Sequence, residues 1–154
     1  MDKDEAIGAL REKLLPLLRR REEVIAAYLF GSTVTGKTHA ESDIDVALLV
    51  DEGQYKKLDR AVPYGYKARM ISNLARLLGT DKVDLVILNE APPLLANEVI
   101  SKGRLLFCRD DRARLRFEVR AKLRYADTAP LRELKRSYLY KRISEGKFSE
   151  VKGS

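Results

Sequence analysis

Two aspartates, separated by one residue, stand at the start of a run of apolar side chains. Asp43 and Asp45 precede the apolar residues 46–50 in a segment that predicts a buried β-strand over 42–50. Alternate residues of a strand project from the same face, so the two carboxylates share one face. Neighbouring carboxylates repel each other and lose hydration on burial, and a divalent cation offsets that cost. The pair therefore predicts a metal site.

A third aspartate repeats this pattern on a later strand. Asp84 interrupts the apolar run 83–88 at a position where a core residue would be expected. The alternative interpretation leaves each aspartate exposed at a strand end or capping a turn. For one aspartate alone we would prefer that alternative, but Asp43, Asp45 and Asp84 together favour a Mg²⁺ site with three carboxylate ligands.

A glycine-serine pair follows the first predicted strand, residues 24–30. Gly31 lacks a side chain, so backbone amides at this turn can approach a phosphate closely. The Ser32 hydroxyl adds a donor for the same anion. An ordinary turn is the alternative for these two residues taken alone.

Helices must alternate with the strands to hold these residues in place. Apolar periodicity predicts an amphipathic helix over 4–20, with a kink or break at Pro16. The other predicted elements are helices at 66–78 and 92–101, a loop over 51–65 with room for a short helix, and strands at 83–88 and 105–108. This order indicates an α/β (α+β) fold in which a small mixed sheet is flanked by helices.

The C-terminal third is strongly basic. The chain has a net charge of +7. Residues 1–100 contain 14 Lys+Arg and 16 Asp+Glu, whereas residues 101–154 contain 16 and 7, a net charge of +9. We divide the chain into a core, 1–110, and a basic helical extension, 111–154. The charge indicates an acidic or polyanionic partner, and a solvated helix surface is the alternative.

The extension itself has a helical pattern. Apolar residues recur at four-residue steps in a first helix (Leu115, Val119 and Leu123), and a second helix follows an interruption at 127–130, with an apolar face of its own (Leu131, Leu134 and Tyr138). We expect this extension to bind the partner or the acceptor of the reaction.

Composition excludes several classes of protein. No apolar run approaches the roughly 20 residues that cross a membrane, and the charged N-terminus lacks the apolar core of a signal peptide. The single cysteine, Cys108, fits a reducing compartment, so we expect a cytoplasmic protein. Direct nucleic-acid binding is not expected, because basic and aromatic residues do not interleave.

The motif residues resemble a known superfamily. Gly31-Ser32, ten intervening residues and then Asp43-Ile44-Asp45 reproduce the GS-x10-D-x-D signature of the polymerase-β-like nucleotidyltransferases. Asp84 stands where that superfamily places its third carboxylate, and residues 24–107 resemble the minimal nucleotidyltransferases. The tail, with Tyr125-Ala126-Asp127 and Pro130, is similar to that of the MNT antitoxins that pair with HEPN toxins.

This resemblance implies a mechanism and a site. Asp43 and Asp45 would bind two Mg²⁺ ions, and Asp84 would ligate the catalytic ion and help to deprotonate the acceptor hydroxyl. Gly31 and Ser32 would hold the β- and γ-phosphates of ATP. Attack at the α-phosphate then releases pyrophosphate.

The acceptor also follows from the resemblance alone. MNT antitoxins transfer AMP from ATP to a tyrosine of the cognate HEPN ribonuclease toxin and silence it, which is the leading expectation here. The alternatives are nucleotidyl transfer to a small molecule such as an aminoglycoside, and a non-catalytic antitoxin that acts by binding alone. We assign no role to His39, Arg69, Arg76 or the Tyr64–Tyr66 loop.

Overall fold

The computed structural model describes residues 2–35 and 43–144. Its α-helices are α1 (Lys3–Arg20), α2 (Ser32–Thr35), α3 (Glu52–Ala61), α4 (Gly65–Leu78), α5 (Pro93–Lys102), α6 (Asp111–Asp127) and α7 (Ala129–Ser144). Its strands are β1 (Val24–Phe30), β2 (Ile44–Val50), β3 (Val83–Ile87) and β4 (Arg104–Cys108), and a 3-10 turn spans Leu88–Glu90. The predicted strands are therefore present, each within two residues of its expected bounds.

The four strands form one mixed sheet in the order β3-β2-β1-β4. β1 pairs antiparallel with both β2 and β4, whereas β2 and β3 run parallel. Helices pack on both faces of this sheet. The predicted small mixed sheet flanked by helices is confirmed.

Side chains that alternate along the strands pack into two hydrophobic cores, one on each face of the sheet. On one face, Val46 and Leu48 of β2 pack with buried residues of α1 and α4. On the other face, Ala47 and Leu49 pack with α5 and α6. Because the strands are buried on both faces, a polar residue in β2 or β3 needs a specific reason to be there.

The first helix continues through Pro16. α1 runs from Lys3 to Arg20 with Pro16 inside it, so of the predicted kink or break the break is absent. Buried leucines on both sides of the proline anchor the helix (Leu14, Leu17 and Leu18). The Arg109 guanidinium also donates hydrogen bonds of 3.0 Å to the carbonyls of Leu18 and Arg19, which caps the C-terminal end.

The two C-terminal helices differ in how they pack. α6 contributes Phe117 and Ala121 to the core against α5 and β1. No described side chain of α7 is buried. None of the helices within residues 2–35 and 43–144 combines the length and apolarity that crossing a membrane requires.

Candidate active site

The turn after β1 places a residue without a side chain, Gly31, at one end of the sheet. Gly31 follows the last residue of β1 and has a φ of +73°, a left-handed conformation that favours glycine. Its carbonyl accepts hydrogen bonds of 3.1 Å from the amides of Val34 and Thr35, which closes the short helix that Ser32 opens. The predicted strand-to-helix turn is therefore present.

The carboxylate of Asp45 lies directly against this turn. Asp45 is opposite Phe30, the residue before Gly31, in the antiparallel pairing of β1 with β2. A Cβ placed on Gly31 would lie 3.2 Å from Asp45 Cγ and would collide with Asp45 Oδ2. Only glycine leaves room for the carboxylate, so the chemistry of position 45 depends on the residue type at position 31.

The parallel pairing of β2 with β3 adds the third carboxylate. Asp45 is directly opposite Asp84 in this register. Asp84 is exposed between the buried residues Val83 and Leu85, so it projects from the opposite face to theirs. Strand alternation places the Asp45 side chain on that same face, because Ala47 and Leu49 pack there.

Asp43 completes the group at the entrance to β2. It is exposed and directly precedes the strand. The next residue, Ile44, donates its amide to the carbonyl of Lys82 at 2.8 Å, which ties the start of β2 to the start of β3. All three predicted aspartates therefore lie at one edge of two neighbouring strands.

Mutual repulsion marks this edge. Burial raises the pKa of the Asp45 carboxyl above its ordinary value, and the negative charges of Asp84 and Asp43 raise it further. Within the described residues, neither a hydrogen bond nor a salt bridge reaches the Asp45 carboxylate. A nearby cation would relieve this repulsion.

The donor set fits a hard divalent cation, since Mg²⁺ prefers oxygen ligands. The carboxylate oxygens are not preassembled as a metal site, however. In the described ranges, no three acidic, histidine or cysteine side chains lie closely enough together to hold a metal ion. The Asp84 carboxylate instead accepts a hydrogen bond of 2.9 Å from the amide of Leu85. Asp84 would therefore have to turn away from its own strand to act as a ligand.

The remaining residues considered from the sequence lie elsewhere or outside the described ranges. His39 falls within 36–42, outside the described residues. Arg76 lines a cavity of about 430 Å³ with Leu17 and other residues of α1 and α4, on the sheet face opposite the Asp45 side chain. Arg69 is an exposed residue of the same helix, α4. Within the described ranges, neither arginine forms a salt bridge with any of the three aspartates.

Sequence reasoning missed a buried carboxylate at the other end of β1. Glu23 is 4% exposed, and its Oε2 accepts hydrogen bonds from Tyr66 Oη at 2.7 Å and from Arg21 Nε at 2.9 Å. Tyr66 is thereby fixed, whereas Tyr64 is 91% exposed. The only signal in the sequence was an Arg-x-Glu pair directly before an apolar strand, which is too common to single out.

Comparison with known proteins defines the class. The family model described as polymerase beta, nucleotidyltransferase matches residues 12–112, which include all four strands and the three aspartates. The chain therefore belongs to the polymerase-β nucleotidyltransferase family, and the predicted enzyme class is confirmed. Members of this family generally use ATP and a divalent metal.

Individual relatives show which members of the family the chain is similar to. The protein adenylyltransferase MntA of Aphanizomenon flos-aquae is 35% identical over 107 residues, which cover 69% of this chain and 71% of that protein. A solved toxin–antitoxin with AMP-PNP matches at a TM-score of 0.61 and 27% identity, covering 84% of this chain and 98% of the other. The solved toxin–antitoxin MntA–HepT matches at a TM-score of 0.57 and 25% identity, and the match covers 86% of this chain and 98% of the other. The predicted likeness to MNT antitoxins is confirmed.

Proposed function

We propose that this chain is a Mg²⁺-dependent protein adenylyltransferase antitoxin that transfers AMP from ATP to a tyrosine of a cognate HEPN toxin. One observation carries the proposal: the Asp45 carboxylate lies against the side-chain-free turn at Gly31, and Asp45 is paired directly opposite Asp84 in the register of β2 with β3. A phosphate-approaching turn beside paired carboxylates is what metal-dependent phosphoryl transfer needs.

We assign the site residues as follows. Asp43 and Asp45 would hold the two Mg²⁺ ions, and Asp84 would hold one of them. The Gly31 backbone and the Ser32 hydroxyl hold the β- and γ-phosphates. When bound, the metal ions supply positive charge that neutralises the triphosphate and the charge developing on it. The closeness of Asp45 to Gly31 supports this assignment, because a phosphate held at the turn would then lie beside the proposed metal ligand.

The reaction balances as a simple substitution at phosphorus. The tyrosine hydroxyl loses its proton to the Asp84 carboxylate, and its oxygen forms a bond to the α-phosphorus of ATP. The bond from that phosphorus to the bridging oxygen of the β-phosphate breaks, and its electron pair leaves with pyrophosphate. The fold contributes in-line positioning of donor and acceptor.

The partner proposal rests on the relatives. Solved neighbours of this fold are toxin–antitoxin structures, one of them with AMP-PNP. We therefore propose a HEPN toxin as the acceptor. ATP as the donor and the free thiol of Cys108 are consistent with the reducing cytoplasm as the site of action.

Intact mass tests the proposal directly. The purified chain is incubated with Mg²⁺, α-labelled ATP and the product of the neighbouring reading frame, and we expect that protein to be the toxin and to gain AMP. A stable complex without label would overturn transfer in favour of an antitoxin that acts by binding alone. With neither complex nor label, the acceptor would be a small molecule, and aminoglycosides would be assayed next.

A further inference from the structure

Exposed large apolar side chains are concentrated on the two C-terminal helices. In the described part of the chain, thirteen large apolar side chains are exposed, and nine of them lie on α6 and α7. These nine are Leu115, Val119, Leu123, Leu131, Leu134, Tyr138, Leu139, Tyr140 and Ile143. Single exposed leucines are ordinary, but such a concentration marks an interaction surface.

α7 exposes most of the side chains that the structure describes. It is 16 residues long, and none of its described side chains is buried. Most helices in proteins depend on packing an apolar face against a neighbour, because helix formation by itself is marginal at this length. A helix that exposes Leu131 at 54% and Leu134 at 66% has that face available for another molecule.

An arginine ridge runs beside the apolar residues of α6. Arg112, Arg116, Arg120 and Arg124 follow one another at four-residue steps, and all four are exposed. Like charges at this spacing destabilise a helix. An acidic surface would relieve that repulsion, and carboxylates can accept paired hydrogen bonds from each guanidinium.

α6 also lies on the sheet face to which the catalytic carboxylates belong. Phe117 and Ala121 of α6 pack with Ala47 and Leu49 of β2. Asp45 precedes Ala47 by two residues and so projects from the same face. A protein bound along the outer side of α6 would therefore lie on the reactive side of the sheet.

We propose that the exposed surface of α6 and α7, formed by Leu115, Val119, Leu123, Leu131 and Leu134 with the arginine ridge, is where the acceptor protein docks. The partner face that fits it combines an apolar patch with acidic side chains. Each helix is about 25 Å long, which is enough to contribute much of the ~800 Å² that a stable complex buries per partner. This inference rests on the proposed function, because the docked protein is the toxin.

Charge and shape together favour a protein over the other possible occupants. A nucleic-acid backbone would suit the arginine ridge but offers no apolar surface for Val119 and Leu123. A second copy of this chain would bring one basic ridge against another across a symmetric interface. Both occupants are outcomes of the test.

The experiment measures binding in the absence of ATP and Mg²⁺, so it does not depend on transfer. Isothermal titration calorimetry compares the toxin affinity of the wild-type chain with that of the double variant Val119→Asp/Leu123→Asp. The control is Leu94→Asp on α5, because Leu94 and Leu123 are both 60% exposed. We expect the double variant to bind more than a hundredfold more weakly and the control to bind within twofold of wild type. Circular dichroism should be unchanged in both.

The ridge has its own matched pair of variants. Arg116→Glu/Arg120→Glu reverses two exposed charges on α6, and Lys56→Glu/Arg60→Glu reverses two exposed charges at the same spacing on α3. We expect only the α6 pair to lose affinity for the toxin, by more than tenfold, and the loss to shrink as salt is raised.

Several results would overturn the docking proposal. Wild-type affinity in the Val119→Asp/Leu123→Asp variant would do so. A toxin that is labelled without forming a measurable complex would do so while leaving transfer intact. Loss of self-association or of RNA binding in that variant, with toxin binding retained, would assign the surface to a second copy or to nucleic acid. Docking that is lost in the variant while no label ever appears would support the surface and refute the transfer reaction.

Discussion

A carboxylate lies at each end of β1, and the two have opposite surroundings. Glu23 is buried next to donors, the Tyr66 hydroxyl and the Arg21 guanidinium. Asp45 is surrounded by further negative charge from Asp84 and Asp43, and burial and these charges raise its pKa. A buried carboxylate that accepts hydrogen bonds stabilises the fold, whereas a carboxylate surrounded by other carboxylates would be stabilised by a cation.

The largest expected effect comes from neutralising the second carboxylate. Asp45→Asn keeps the shape of the side chain but removes the charge, so transfer of AMP should fall by about a thousandfold or more. Labelling of the toxin measured by intact mass, with circular dichroism as the check on folding, tests this. Retained labelling in a folded variant would mean that the metal site is elsewhere.

Glycine at the turn is the next test of the same end. Gly31→Ala places a Cβ against Asp45 Oδ2 and strains a backbone with a φ of +73°. We expect transfer to fall about a hundredfold and the free energy of unfolding to fall by about 1–3 kcal/mol.

A second glycine with a left-handed backbone distinguishes the effect of backbone strain from that of the collision with Asp45. Gly79 ends α4 with a φ of +70°, but nothing lies within 4 Å of a Cβ built on it. Gly79→Ala should therefore lose about 1–2 kcal/mol of stability through strain alone and transfer AMP at the wild-type rate. Equal activity losses in the two variants would show that Asp45 does not depend on position 31.

The other end of β1 predicts a loss of stability without a loss of activity. Tyr66→Phe removes the 2.7 Å hydrogen bond to Glu23 and leaves the buried carboxylate with Arg21. The free energy of unfolding should fall by about 1.5–3 kcal/mol, as for other hydrogen bonds to buried charges. Urea denaturation measures this, with transfer by the folded variant expected to be unchanged.

The neighbouring tyrosine provides the control. Tyr64 is 91% exposed, so Tyr64→Phe should change stability by no more than about 0.5 kcal/mol. If the two variants were equally stable, Glu23 would not be the structural carboxylate that the contrast with Asp45 requires.

How much of this was predictable depends on whether a local pattern or a tertiary contact decides the outcome. The strands follow from apolar runs and turn residues, which are local. The GS-x10-D-x-D motif was recognised by its resemblance to a known superfamily, and its residues are also close together in the sequence. Pro16 was expected to kink or break α1, but the helix continues through it, because packing of the leucines around it and the Arg109 cap outweigh the lost hydrogen bond.

The tail shows the limit of periodicity most clearly. Leu115, Val119 and Leu123 have the spacing of a core-facing stripe, yet they are 52–60% exposed, and α6 buries Phe117 and Ala121 instead. A helix period identifies an apolar face but not the molecule that covers it. The network of Tyr66 with Glu23, 43 residues apart in the chain, likewise has no local signal.

The smallest effect tests the repulsion at Asp45 itself. Because burial and the neighbouring carboxylates raise its pKa in the folded state, the charged form is disfavoured there relative to the unfolded chain. The stability that this residue contributes is therefore full below its unfolded pKa and is lost as pH rises through the raised folded pKa. In metal-free buffer, Asp45→Asn should be more stable than wild type at pH 7 by up to about 1 kcal/mol.

Acidification provides the sharper half of that test. The stability difference between Asp45→Asn and wild type should shrink as the pH falls and Asp45 takes up its proton, and urea midpoints at pH 7 and at a mildly acidic pH measure it. Mg²⁺ at pH 7 should also narrow the difference, since a bound cation stabilises only the carboxylate. An Asp81→Asn control, at an exposed position before β3, should show neither trend. If Asp45→Asn were instead less stable at pH 7, the site would already hold a compensating positive charge, and its contrast with Glu23 would fail.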